Sequence, residues 1–350
     1  MSTYYKSALS VRGDSLYCPL SFSLDSYWNC LADCWHCSFR SLNHTWGTDL
    51  RPANPEQIKR KLMNGLKNKA PKTSLAYCLK LKKTIRFGSR SDPFQDAEDE
   101  YGVSGEILKI LIKLNWSFVI QTRFPSRLLK YRKLLFSKKS LWIMIPVMSP
   151  GGDQDWEVLE RSRTDHPNKR LQIAKQFIKR GIHVGFNGEP FIPGYHEVKD
   201  FEDIIKRLKS YGIPSYNTYN FHFNPFVAKR LHAIGIDIER IWYYNQDQEW
   251  KKILQKLIDV AKRYHIQLGC PDFVNTGWKY RELTNTCCGV NVPNPTTFNT
   301  HMWKRMIQEG RMKEEILKLT WDEIGDYKQG KQVLMGKDSK NFYTIHDIIK

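Results

Sequence analysis

The chain reads as an α/β protein: a partial (β/α)6 barrel over residues 21–230, with a short N-terminal lead-in, 1–20, and a C-terminal extension, 231–350. Three observations carry that expectation. Strand-like and helix-like segments alternate with short links, the pattern of a parallel sheet covered by helices. Residues 141–148, Leu-Trp-Ile-Met-Ile-Pro-Val-Met, are almost continuously apolar, as a strand buried on both faces must be. A cysteine-rich loop joins the first strand to the first helix, and barrels of this kind carry their active residues at the C-terminal ends of strands.

The elements follow in order. Residues 21–28 form the first strand. Asn54 caps the first long helix, and Pro55 takes its first position, where a missing N–H costs nothing. That helix runs to about Lys67. A second strand, 83–88, leads into the loop 89–95, and a helix follows over 102–115. β-branched and aromatic residues mark 116–122 as the third strand. A basic helix then ends near Phe136, and 141–148 is the fourth strand. Over 165–180, Leu171, Ala174, Phe177 and Ile178 share one helical face, and Gly181 ends the helix. The fifth strand, 182–187, turns away through 188–194. Phe201, Ile204, Ile205 and Leu208 define a helix over 200–211, and 215–223 is the sixth strand. In the extension, 247–265 reads as an amphipathic helix, 266–270 as a strand and 300–318 as a helix. The last thirty or so residues show no assignable element.

Hydrophobic residues make up 41% of the chain and aromatics 13%, which suits a packed core and excludes general disorder. No apolar run reaches the length of a membrane span. The start, Met-Ser-Thr-Tyr-Tyr-Lys, lacks the apolar stretch of a secretion signal, so a soluble cytoplasmic protein with no membrane partner is expected. The formal charge of +19 favours polyanionic partners, nucleic acid first. Basic residues crowd 59–83 and 123–139. The bland reading of both runs is a solvated surface.

Cys30, Cys34 and Cys37 stand at C-x-x-x-C-x-x-C spacing. Clustered thiolates select zinc, copper(I) or iron–sulfur. Structural zinc normally takes four protein ligands, and no fourth is evident. Three thiols suit a four-iron cluster with one iron left open; a zinc knuckle and three unrelated cysteines are the alternatives. Cys18 and Cys78 read as structural. Cys270, Cys287 and Cys288 are candidate ligands of a second, auxiliary iron–sulfur cluster, or one of them a hydrogen donor, or ordinary thiols.

Across residues 22–194 the sequence resembles the spore-photoproduct-lyase-like branch of the radical S-adenosylmethionine (SAM) superfamily, often described as DNA repair photolyase-like. The resemblance rests on the three cysteines, on Ser91-Asp92-Pro93 after the second strand, on Thr122-Arg123 at the end of the third, on Glu160, Thr164 and Arg170, and on the segment 181–194. It implies a [4Fe–4S] cluster on Cys30, Cys34 and Cys37 whose open iron chelates SAM. His36 stands where the family has an aromatic that packs on the adenine. Ser91 and Asp92 stand at the methionine ammonium, Arg123 at its carboxylate, Ser149 at the ribose, and Asn187 at a further SAM contact. Glu98 matches a family glutamate with no role assigned. The resemblance further implies a reductant such as flavodoxin or ferredoxin and a nucleic-acid substrate.

One departure matters. In spore photoproduct lyase a cysteine beside the Ser-Asp element returns a hydrogen atom to the product, and residues 84–98 here contain none. Ser89 is a poor replacement, its O–H bond being much stronger than S–H. The expected activity is therefore hydrogen abstraction from a nucleic-acid base or nucleotide-linked substrate, as modification or repair-like chemistry. Lyase, isomerase and base-modifying types stay open, and no catalytic residue is assigned. The rivals are the same chemistry on a peptide or small metabolite, and a non-catalytic zinc-stabilised nucleic-acid-binding protein.

Overall fold

The computed structural model describes residues 4–11, 20–39, 49–138, 141–221, 223–269, 292–294, 296 and 308–310. Cys18, Cys270, Cys287, Cys288 and most of the helix expected over 300–318 lie outside them. No described helix is long and apolar enough to cross a membrane.

The main sheet has the order β1 (Leu9–Val11), β2 (Phe22–Leu24), β5 (Ile85–Phe87), β6 (Phe118–Thr122), β7 (Trp142–Pro146), β8 (His183–Val184). β1 pairs antiparallel with β2, and every later pairing is parallel. The expected fifth strand is two short strands, β8 and β9 (Phe186–Asn187), parted at Gly185, whose N–H still reaches the Met144 carbonyl at 3.1 Å. A bridge from Val147 to Asn187 carries the parallel run on to β9, then to β10 (Ser215–Asn217) and β11 (Gln267–Gly269). Between β2 and the first long helix, β3 (Tyr27–Trp28) and β4 (Arg51–Pro52) form a small antiparallel hairpin.

Both faces of the parallel strands are buried, for different reasons. Phe118, Ile120, Trp142 and Met144 join the large outer core with Phe177 and Leu171 of the helix Pro167–Lys179. Their neighbours in the pleat, Val119, Ile143 and Ile145, pack with Leu20 in a separate inner cluster against Val292. That double burial is why 141–148 carries an almost unbroken apolar run.

The local signals hold closely. Asn54 caps the helix Pro55–Lys67, its side chain accepting from the Gln57 N–H at 3.1 Å. The helix Val198–Ser210 buries Phe201, Ile204, Ile205 and Leu208, and the helix Asp247–Arg263 packs on it. The basic helix after β6 is broken into Pro125–Leu128, a 3₁₀ turn and Arg132–Phe136. Short helices Ser74–Lys80, Pro225–His232 and Ile238–Tyr244 had no strong periodic signal.

Candidate active site

A cleft opens at the C-terminal ends of the parallel strands. Its lining includes Cys30, Cys34, His36 and Cys37 after β2, Ser91 and Asp92 after β5, Arg123 after β6, Asn187 at the end of β9, and Asn220 and Phe221 after β10. Elements far apart in sequence meet there because parallel strands all point their C-terminal ends the same way. Eight side chains singled out from the sequence thus share one cavity. Ser149 does not: it is buried and outside the lining, and its Oγ has no hydrogen-bond partner among the described residues.

The cysteine loop is held from several sides. Gln95, fully buried, accepts from the Leu31 N–H at 2.6 Å and donates to the Asn29 carbonyl at 3.0 Å. The Trp35 N–H donates to the Leu159 carbonyl at 2.8 Å. Two guanidinium groups lie over the Trp35 ring, Arg161 at 5.1 Å and Arg230 at 5.0 Å from its centre, and Asp33 pairs with both. None of these holders has a signature that sequence reading alone detects; Gln95 is an ordinary polar residue in a loop.

The Ser91-Asp92 element is tied to its neighbours. Ser91 Oγ donates to the Tyr27 carbonyl at 2.7 Å, which leaves its lone pairs as acceptors. Asp92 accepts from Thr122 Oγ1 at 2.7 Å, the Arg123 N–H at 2.6 Å and the Phe94 N–H at 2.9 Å, so it fastens the loop after β5 to the end of β6. Burial pushes its carboxyl above the usual range, and those hydrogen bonds oppose the rise. Gly88 makes the approach possible. Its φ is +92°, and a Cβ there would lie 2.5 Å from the Gln121 carbonyl oxygen and from Pro93 Cδ.

Arg123 sits at the centre. Its Nε donates to Glu160 at 3.2 Å and its Nη2 to His36 Nε2 at 3.1 Å. A guanidinium only donates, so His36 Nε2 accepts and the proton sits on Nδ1, a tautomer assigned from this network. Burial, then the Arg123 charge, lowers His36 to about 3, so the ring is neutral at pH 7. Behind Arg123, Glu160 meets buried Arg170, and Thr164 donates to the same carboxylate. Arg170 also donates to the Asp165 carbonyl at 2.6 Å and to the Val147 carbonyl. Burial alone would raise the Glu160 carboxyl, but Arg170 and Arg123 outweigh it and hold it at about 2. The Glu160, Thr164 and Arg170 pattern is therefore a buried ionic brace under the cleft.

Glu98 is structural. It accepts from Tyr27 Oη at 2.5 Å, Tyr131 Oη at 2.7 Å, and the Ser104 and Gly105 N–H groups at 2.8 and 2.9 Å, which closes the exposed amide end of the helix Val103–Lys113. Asn187 Oδ1 accepts from the Glu189 N–H at 2.7 Å, which turns its amide NH2 elsewhere.

The donor set fits a thiolate-bound cluster. The three thiols open onto one cleft. A cluster takes one thiolate per iron. Burial pushes the Cys30 thiol up to about 12, and the Cys34 thiol is also raised, chiefly by burial, so loading with a cation would displace their protons.

No protein-family model matches the sequence, and no curated protein matches it. Solved structures do match in fold. Spore photoproduct lyase complexed with dinucleoside spore photoproduct superposes with a TM-score of 0.55 at 12% identity, over 75% of this chain and 79% of that one. A mutant of the same lyase with bound AdoMet and the dinucleoside gives 0.52 at 10% identity, over 75% and 79%. SuiB of Streptococcus suis bound to the precursor peptide SuiA gives 0.50 at 12% identity, over 74% of this chain and 50% of that one. The chain shares the barrel fold of these radical SAM enzymes.

Proposed function

We propose that the chain is a cytoplasmic radical SAM enzyme that abstracts hydrogen from a nucleic-acid base or nucleotide-linked substrate. One observation carries the reading: three thiols, the Ser91–Asp92 acceptors and the Arg123 guanidinium line a single cleft at the ends of parallel strands. Cys30, Cys34 and Cys37 would hold a [4Fe–4S] cluster, which when bound and reduced supplies the electron that splits SAM into methionine and a 5′-deoxyadenosyl radical. The electron would come from a flavodoxin- or ferredoxin-type partner.

The chain's own residues orient and shield. Arg123 spends Nε and Nη2 on Glu160 and His36, so Nη1 is the nitrogen that would meet a carboxylate in the cleft. Ser91 and Asp92 present acceptors that suit an ammonium group. Neutral His36 adds no second positive charge beside Arg123. Trp28, Pro190 and Phe221 give the cleft apolar walls that exclude water from a reactive intermediate. Ser89 lines the cleft where a hydrogen-returning cysteine would be needed for dimer repair, which favours base modification over repair by that route.

A second reading, hydrogen abstraction from a peptide, draws on the fold shared with SuiB, whose structure holds a precursor peptide. Anaerobic reconstitution with iron and sulfide, followed by SAM, a reductant and either DNA, RNA or peptide pools, tests both. The expected result is four irons per chain in order of magnitude, 5′-deoxyadenosine, and a mass change in a nucleoside. A mass change confined to peptides supports the second reading. A single tightly held zinc with no 5′-deoxyadenosine overturns both and leaves a zinc-stabilised binding protein.

A further inference from the structure

Two basic runs stand out in the sequence, and the fold treats them differently. In 123–139, Arg123 pairs with Glu160, Arg127 with Asp96 and Asp99, and Lys130 with Asp99, while no acid partner is found for Arg132, Lys133 or Lys138 among the described residues. Residues 56–83 hold nine cations and one acid, Glu56, a net +8 out of the chain's +19. The one ion pair found in that stretch among the described residues is Lys59–Glu56. Seven of the nine cations ride on two helices packed together, Pro55–Lys67 and Ser74–Lys80, and on the loop between them. Gly65 brings the helices close: a Cβ there would lie on top of Leu79. Lys61, Asn64, Lys67, Asn68, Leu75 and Ala76 line a groove along the seam, and none of them lines the cysteine cleft. Arg60, Lys61, Lys67, Lys69, Lys72 and Lys80 are exposed.

We propose that this helix pair is a docking surface for the phosphate backbone of a nucleic acid, separate from the cleft. Concentrated, nearly uncompensated positive charge is the electrostatic footprint of a polyanion site. An acidic protein is the weaker fit. Protein interfaces are depleted in lysine and anchored on aromatics, methionine and arginine, whereas eight of the nine cations here are lysines. The surface contacts phosphates and carries no sequence information, so it would hold and orient a long substrate while another part of it enters the cleft. The helix Pro55–Lys67 starts directly after the hairpin that supplies cleft residue Trp28, which puts one end of the surface beside the cleft rim. Binding here depends on charge alone, so it stands or falls independently of the radical chemistry.

The test uses the full chain and a fluorescein-labelled double-stranded DNA of mixed sequence, titrated at several salt concentrations. One variant carries Arg60→Gln, Lys67→Gln, Lys69→Gln and Lys72→Gln; a control of equal charge loss carries Lys130→Gln, Arg132→Gln, Lys133→Gln and Lys138→Gln. Four lost phosphate contacts should lower affinity by about tenfold or more at low salt and flatten the slope of log K against log salt by about 3 to 4 units. The control should change affinity by less than about threefold, because it removes the same charge from outside the helix pair. Mass-spectrometric mapping of lysine acetylation on the unmodified chain gives an independent reading: Lys61, Lys67, Lys69, Lys72 and Lys80 should be shielded by the DNA. Equal losses in both variants, no shielding, or no DNA binding overturns the proposal. Poly-glutamate binding that displaces the DNA at equal charge concentration would overturn it in favour of an acidic protein partner.

Discussion

Arg230, on the helix Pro225–His232, reaches back across 197 residues to donate to the Asp33 carboxylate at 2.9 Å. The same guanidinium donates to the Cys34 carbonyl at 3.2 Å and stacks over Trp35. The helix that follows β10 therefore grips the middle of the thiol loop.

Removing that grip should loosen the loop without unfolding the barrel. Arg230→Ala is expected to cost about 2 kcal/mol, the scale of hydrogen bonds to charged groups, and to speed amide exchange over residues 30–37 in the metal-free protein. Iron retained after reconstitution should fall. Unchanged exchange would show that Gln95 and Leu159 hold the loop by themselves.

The ionic brace makes a pH-dependent prediction. Glu160→Gln leaves Arg170 and Arg123 without their buried carboxylate and should cost about 3 to 5 kcal/mol, read from urea unfolding near neutral pH. The folded carboxyl titrates near 2, below its unfolded value of about 4.3. The unfolded chain thus binds the proton first as pH falls, and the stabilisation from Glu160 is complete above about pH 5 and drains away toward pH 2. The gap between the two proteins should narrow across that window and nowhere above it.

Gly88→Ala places a side chain at φ +92° against the Gln121 carbonyl and Pro93. Backbone strain alone costs about 1 to 3 kcal/mol. Because Gly88 lets the loop fold back so that Asp92 meets Thr122 and Arg123, SAM affinity measured by calorimetry should weaken as well. A variant with native stability and native SAM affinity would refute this account of the turn.

Replacing Cys30, Cys34 and Cys37 together by Ala should abolish iron binding and 5′-deoxyadenosine formation while the melting transition of the metal-free chain survives. Cys34 joins the core and Cys30 and Cys37 pack against it, but each replacement removes one sulfur from a core carried by Phe22, Phe87, Phe118, Trp142 and Phe177. Persistence of 5′-deoxyadenosine in the triple variant would remove the cluster assignment.

Within the described residues, the parts written in local chemistry were legible beforehand. The Asn54 cap, the doubly buried strand around Met144, the apolar face of Leu171, Ala174 and Phe177, and the three-cysteine spacing each express a constraint within a few residues. Eight of the nine described side chains singled out as cluster or SAM ligands line one cleft, since parallel strands deliver the ends of successive βα units to one rim.

What the tertiary structure decided are pairings between residues tens to hundreds of positions apart. It buried Ser149 away from the cleft, gave Glu98 a helix end to close, and made Gln95 and Arg230 holders of the thiol loop. Among the described residues, it supplied acid partners to Arg123, Arg127 and Lys130 in one basic run and to Lys59 alone in the other. A side chain's charge and hydrogen-bonding capacity are local properties, but whether they are spent on a neighbour or kept for a ligand depends on which distant segment the curled sheet brings alongside.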